Sequence, residues 1–109
     1  MQKPLQITLR GMDNSAALEQ RIREKAAALE RFADRITSCH VTVEAPHQRH
    51  RQGNTFAVQI AVHVPDKQFV FGSRSDHHAN HEDVYVAVRD TFATATRALG
   101  SYLDERRPH

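Results

Sequence analysis

The chain has 109 residues, with 15 Lys/Arg against 13 Asp/Glu, eight His, one Cys and no Trp. That length suits one compact domain with a modest core. It leaves no apolar run near the roughly 20 residues a membrane span needs, and the opening MQKPLQITLRG has no apolar signal core. The lone Cys39 excludes an internal disulfide and a thiolate metal cluster within one chain, which fits a cytoplasmic home. The formal net charge is +2. The positive excess lies in residues 1–53, with nine Lys/Arg against six Asp/Glu, while residues 54–109 carry six against seven. Such an excess points towards a polyanionic partner without establishing one.

In LQITLRG, Leu5, Ile7 and Leu9 alternate with Gln6, Thr8 and Arg10, the period of a half-buried strand ending at Gly11. Asn14 or Ser15 then caps a helix. Leu18, Ile22, Leu29 and Ala33 repeat on one face of it, with Phe32 at the edge of the stripe. CHVTVEA alternates again, Cys39, Val41 and Val43 on one side and His40, Thr42 and Glu44 on the other. PHQRHRQGN is a polar loop. TFAVQIAVHV is the strongest strand, with Phe56, Val58, Ile60, Val62 and Val64 in alternation. Pro65 presets the reversal at PDK, QFVFGS returns as a fourth strand, and SDHHANHE is a second polar loop. The stretch EDVYVAVRDTFATATRALGSYL, residues 82–103, closes the chain as a helix. Its apolar stripe is Tyr85, Val88, Phe92, Ala95, Leu99 and Leu103.

The predicted fold is α+β, in the order β-α-β-β-β-α. A four-stranded sheet has one dry and one wet face, and both helices pack on the dry face. Residues 1–104 form the single domain and 105–109 a short tail.

Counted at 100° per residue from Leu18, the apolar stripe of the first helix covers about −40° to +80°. Arg21, Lys25, Arg31 and Arg35 fall in a band from about 220° to 340°, interrupted only by Glu24. Taken alone, the band is an ordinary solvated face with i, i+4 ion pairs. The same band is also a phosphate-contacting surface in outline.

His77, His78 and His81 form an H-H-x-x-H group, and His47 and His50 are three apart in the other polar loop. Imidazole ligates zinc, nickel or copper, but no fourth ligand stands at a characteristic spacing, so solvated loops are the simpler account. Histidines near phosphate would also gain charge as pH falls and strengthen RNA binding. No Gly-rich phosphate loop, G-x-S-x-G or H-E-x-x-H occurs, and no enzyme is expected. Cys39 falls on the apolar side of its strand as a small core residue. His40 and Glu44 share a wet face with no evident pocket, so they are solvent-facing strand residues rather than an acid–base pair.

Two motifs carry a resemblance. AALEQRIREKAAALERFADRI ends in an Asp-Arg-Ile run before the second strand. Asp83-Val-Tyr85-Val-Ala87-Val88 is followed by Arg97 and Leu99, similar to an Asp-x-Tyr-x-Ala-Ile/Val signature with a later Arg-x-Leu. From LQITLRG to about Leu99 the chain resembles the short, single-domain ribosome hibernation-promoting factors and ribosome-associated translation inhibitors of bacteria.

The resemblance implies a monomer off the ribosome that binds the ribosomal RNA of the small subunit in the decoding channel and blocks mRNA and tRNA sterically. It implies no catalysis, cofactor, small-molecule substrate or membrane. Lys25 and Arg97 match basic family positions. Arg21, Lys25, Arg31, Arg35, Arg89 and Arg97 are the contact candidates on the helices, with Arg49 and Arg51 from the polar loop. Tyr85, on the apolar stripe, is structural first. Several positions depart from the family. Ala28 and Thr94 stand where lysine is frequent, Arg89 where an acid is usual, and the end of the last helix has only Arg106 and Arg107 beside Asp104 and Glu105. Two alternatives stand beside this. One is a double-stranded-RNA-binding module, against which the acidic NHEDVY start of the last helix speaks. The other is a diverged protein-interaction or histidine-metal module.

Overall fold

The computed structural model describes residues 2–45, 56–74 and 83–106. The elements are β1 (Gln6–Arg10), α1 (Ala16–Phe32), β2 (Ser38–Glu44), β3 (Ala57–Val64), β4 (Lys67–Arg74) and α2 (Asp83–Arg106). This is the expected α+β order. The four strands form one sheet in the order β1-β2-β3-β4. β1 and β2 are parallel, and the other neighbours are antiparallel. A parallel pair cannot be joined by a tight turn, so α1 serves as the crossover between β1 and β2.

Register converts the alternation read from sequence into two faces. Ile7, Val41, Ile60 and Phe71 lie in one row across all four strands, and Cys39, Val62 and Phe69 in another. Val41, Ile60 and Val62 are fully buried. The intervening rows, Thr8-Thr42-Gln59-Gly72 and Gln6-His40-Ala61-Val70, form the other face. On the edge strands the same alternation buries less: Ile7, Leu9, Phe69 and Phe71 are half-buried against the core, and Val70 is exposed.

Ser15 caps α1, its Oγ accepting from the Leu18 N–H at 3.2 Å. Glu19 in the first turn complements the helix dipole. Leu18, Ile22, Ala26 and Leu29 are the buried side of α1. The helix stops at Phe32 because Ala33 leaves helical dihedrals, with φ −129 and ψ 86. The Ala33 N–H still donates to Leu29 O at 2.8 Å, and the Ile36 N–H to Ala33 O at 3.3 Å. The turn carries Ala33 and Ile36 into the core. Arg35 therefore lies beyond the helix, and the angular band expected to include it ends at Arg31.

Gly11, directly after β1, has φ +71, a left-handed conformation that side chains disfavour. Beside it the Ala45 N–H donates to Arg10 O at 2.9 Å. The Pro65–Asp66 turn joins β3 and β4, with Val64 opposite Lys67. α2 buries Val84, Ala87, Val88, Phe92, Ala95 and Leu99 in the same cluster as the α1 stripe and the dry rows of the sheet. Both helices thus cover one face. Thr91 is also buried, its hydroxyl donating to Ala87 O at 2.6 Å. That bond inside the helix lets a polar residue sit in an apolar layer.

Candidate nucleic-acid interface

The two helices lie side by side and run the same way. Near their starts, the guanidinium carbon of Arg21 sits 5.5 Å from the centre of the Tyr85 ring. Near their ends, the tip of the Phe32 ring meets Gly100, where an added Cβ would come within 3.1 Å of Phe32 Cζ. Between these anchors, helical spacing puts Arg21, Lys25, Ala28 and Phe32 on the flank of α1 that faces α2. Tyr85, Arg89, Thr96 and Gly100 form the matching flank of α2. With both helices on one sheet face, their sheet-distal sides make a single outer surface.

Arg21, Arg31, Arg89 and Arg97 are exposed on that surface, and Lys25 is half-buried. Arg21, Lys25 and Arg89 gather along the first turns of the seam. Arg31 and Arg97 stand outward of Phe32 and Gly100 by helical position. Arg35 is exposed in the turn after α1. Arg49 and Arg51, and the histidines His47, His50, His77, His78 and His81, lie outside the described residues. Among the described residues, no group of three His, Cys, Asp or Glu is placed to hold a metal ion.

The surface is not purely basic. Arg21 Nε is 4.0 Å from Glu24 Oε2, with both side chains about half exposed. Arg89 Nε donates to Asp90 Oδ1 at 3.1 Å, again with both groups open to water. Exposed pairs of this kind contribute about 0–1 kcal/mol. An incoming phosphate can therefore take over either guanidinium at small cost. Arg97 Nη2 donates to Thr94 Oγ1 at 3.4 Å, and Thr94 Oγ1 donates to Asp90 O at 3.1 Å. Thr94 thus bonds to the helix backbone and weakly tethers Arg97.

The opposite sheet face has different chemistry. His40 Nε2 and Thr8 Oγ1 are 2.8 Å apart across the parallel pair, with donor and acceptor set by the imidazole tautomer. Glu44, four residues along the strand, is about 13 Å from His40 at strand rise, so the two do not form an acid–base pair. Cys39 is buried on the dry side, and burial pushes its thiol from the usual 9.0 up to about 11. It is a protonated, inert core residue at neutral pH.

Helical periodicity locates the charged positions, and it places Tyr85 on the α2 stripe and Phe32 at the edge of the α1 stripe, but it does not show what either meets across the seam. Tyr85 is half-buried under Arg21, which agrees with a structural role. Phe32, at the edge of the α1 stripe, is 53% exposed. The available signal for Phe32 is Gly100, a glycine inside a helix with no turn to justify it.

No described helix is long and apolar enough to cross a membrane. Comparison with the curated proteins gives no match. Among solved structures, the fold is similar to a ribosomal subunit interface protein from Coxiella burnetii. The TM-score is 0.68 at 21% identity, covering 92% of this chain and 97% of that one. It is also similar to the N-terminal domain of Protein Y from Thermus thermophilus, with a TM-score of 0.68 at 14% identity, covering 89% and 94%. At these identities the likeness speaks for the fold. The family described as sigma 54 modulation protein / S30EA ribosomal protein matches residues 5–107. With that match running over nearly its whole length, and with the β-α-β-β-β-α fold to go with it, this chain belongs to the sigma 54 modulation protein / S30EA ribosomal protein family.

Proposed function

We propose that this protein is a translation inhibitor of the hibernation type. It binds ribosomal RNA in the decoding channel of the small subunit and excludes mRNA and tRNA by occupying their path. Family membership makes it a ribosome-associated, non-enzymatic factor. The decoding-channel site, a cytoplasmic location and a monomeric state off the ribosome are part of the proposal.

The observation that carries it is the outer surface of the helix pair. Arg21, Lys25, Arg31, Arg89 and Arg97 are distributed along it, with Arg35 at its end. Guanidinium and ammonium groups spread over a rigid face suit phosphates spread along an RNA backbone. Phosphate contacts supply affinity with little sequence reading, so the shape of the folded RNA selects the site. Arg49 and Arg51, which stand between β2 and β3 in the sequence, are proposed to extend the contact.

The test is co-sedimentation with purified bacterial small subunits at low and high salt. Saturable binding that weakens with salt is expected, together with its loss in a folded Lys25→Glu/Arg97→Glu double variant. Full pelleting of that variant would overturn the assignment of this surface.

A further inference from the structure

We propose that Phe32 is a nucleobase-stacking residue, presented by the Gly100 notch at the end of the helix seam. The inference rests on the RNA-binding function proposed above and adds a contact with an unpaired base to the phosphate contacts. Phe32 is the one aromatic among the large exposed hydrophobics of the described residues. The tip of its ring lies against Gly100. The closest approach to an ideal Cβ at Gly100 is 3.1 Å for Cζ and 3.5 Å for Cε1. A glycine inside a helix is less stable there than alanine. Here its missing side chain makes the seat for the ring, leaving over half of Phe32 open to solvent.

The surroundings select the occupant. Arg31 precedes Phe32 and Arg35 follows by three residues, while Arg97 stands one turn before Gly100; all three are exposed. Asp34 and Asp104 share this end of the surface and are exposed too. An apolar protein segment would need an apolar patch around the ring, and charged residues stand there instead. A nucleotide fits both parts: its phosphate meets an arginine and its base meets the ring. Bases inside a duplex are already stacked, so the ligand is an unpaired base in a loop, bulge or single strand.

Phe32→Leu keeps apolar volume and removes the π face. It is expected to weaken binding to small ribosomal subunits by about 5- to 150-fold with the salt slope unchanged. Phe32→Tyr, which keeps the ring, is expected to restore the loss. Gly100→Ala, which displaces the ring tip without deleting it, is expected to weaken binding in the same direction. Because the chain has no Trp, Phe32→Trp places a single indole at the site and reads the contact without removing it. Its emission is expected to be quenched by a short mixed-sequence single-stranded RNA and not by a duplex of the same sequence.

Wild-type affinity in Phe32→Leu, with Lys25→Glu/Arg97→Glu still weakened, would overturn the stacking role and leave the RNA surface standing. Equal quenching by duplex and single strand would also overturn it. Wild-type affinity in the double charge variant would instead overturn the RNA surface itself.

Discussion

Arg21 of α1 lies against the ring of Tyr85 of α2, its guanidinium carbon 5.5 Å from the ring centre. One contact thereby joins the first exposed cation of the outer surface to a half-buried residue of the helix seam. The tyrosine fixes where the guanidinium stands, because its ring is itself packed against the core. The competing Glu24 carboxylate is 4.0 Å away and solvated, so the ring is the better-defined partner. A double-mutant cycle of Arg21→Ala and Tyr85→Leu is expected to give a coupling of about 0.5–1 kcal/mol in urea unfolding. A coupling near zero would mean that the stacking does not hold in solution.

The cations of the outer surface should report themselves one by one in salt titrations of ribosome binding. Each of Lys25→Gln, Arg31→Gln and Arg97→Gln is expected to lower the slope of log affinity against log salt by about 0.7–0.9. Arg23→Gln, on the far side of α1 from the seam, is expected to change it less. Equal slopes for wild type and all four variants would place the RNA contact elsewhere.

Ile60 sits at the centre of the sheet, fully buried in the row Ile7-Val41-Ile60-Phe71. Ile60→Ala is expected to destabilise the fold by about 2–5 kcal/mol, since it loses apolar transfer energy and leaves a cavity in the core. Chemical denaturation with an unchanged m-value checks this.

Cys39 makes stability depend on pH in the alkaline range. Burial raises its thiol from 9.0 to about 11. Between these values the unfolded chain releases the thiol proton while the native chain keeps it. The unfolded state then binds fewer protons, so stability falls as pH rises through this window. The loss attributable to the thiol is roughly 2–3 kcal/mol at most. Cys39→Val is expected to flatten the fall relative to wild type between pH about 9 and 11. Identical pH profiles for the two proteins would show that the thiol is not desolvated.

The Ser15 cap is testable in isolation. Ser15→Ala removes the acceptor of the Leu18 N–H and is expected to cost about 1 kcal/mol. Ser15→Asp, which keeps an acceptor and adds a charge favoured at a helix start, is expected to cost less. The midpoints of thermal unfolding separate the two.

Much of the fold is legible in local periodicity. A strand with Cys39, Val41 and Val43 on one side cannot be shifted by one residue without exposing all three. A helix with Leu18, Ile22 and Leu29 on one side has one face to bury. Two helices and four alternating strands then have one economical arrangement, with both helices on the dry face. The candidate site was half legible in the same way. Periodicity puts Arg21, Lys25, Arg31, Arg89 and Arg97 off the apolar stripes, because charge avoids burial. It extends the band wrongly to Arg35, because the end of α1 depends on Ile36 turning into the core rather than on any breaker residue.

Local spacing along the chain already says which face of each element is buried, since that follows from residues two, three or four apart on one backbone. Which residues meet across the helix seam depends instead on how the two helices pack. Nothing within α1 says that Arg21 stacks on Tyr85 or that Phe32 rests in the space left by Gly100. Those pairings arise from the parallel alignment and relative slide of two helices set by a shared core. A shift of one turn, about 5.4 Å along the axis, would leave both periodic patterns intact and break both contacts.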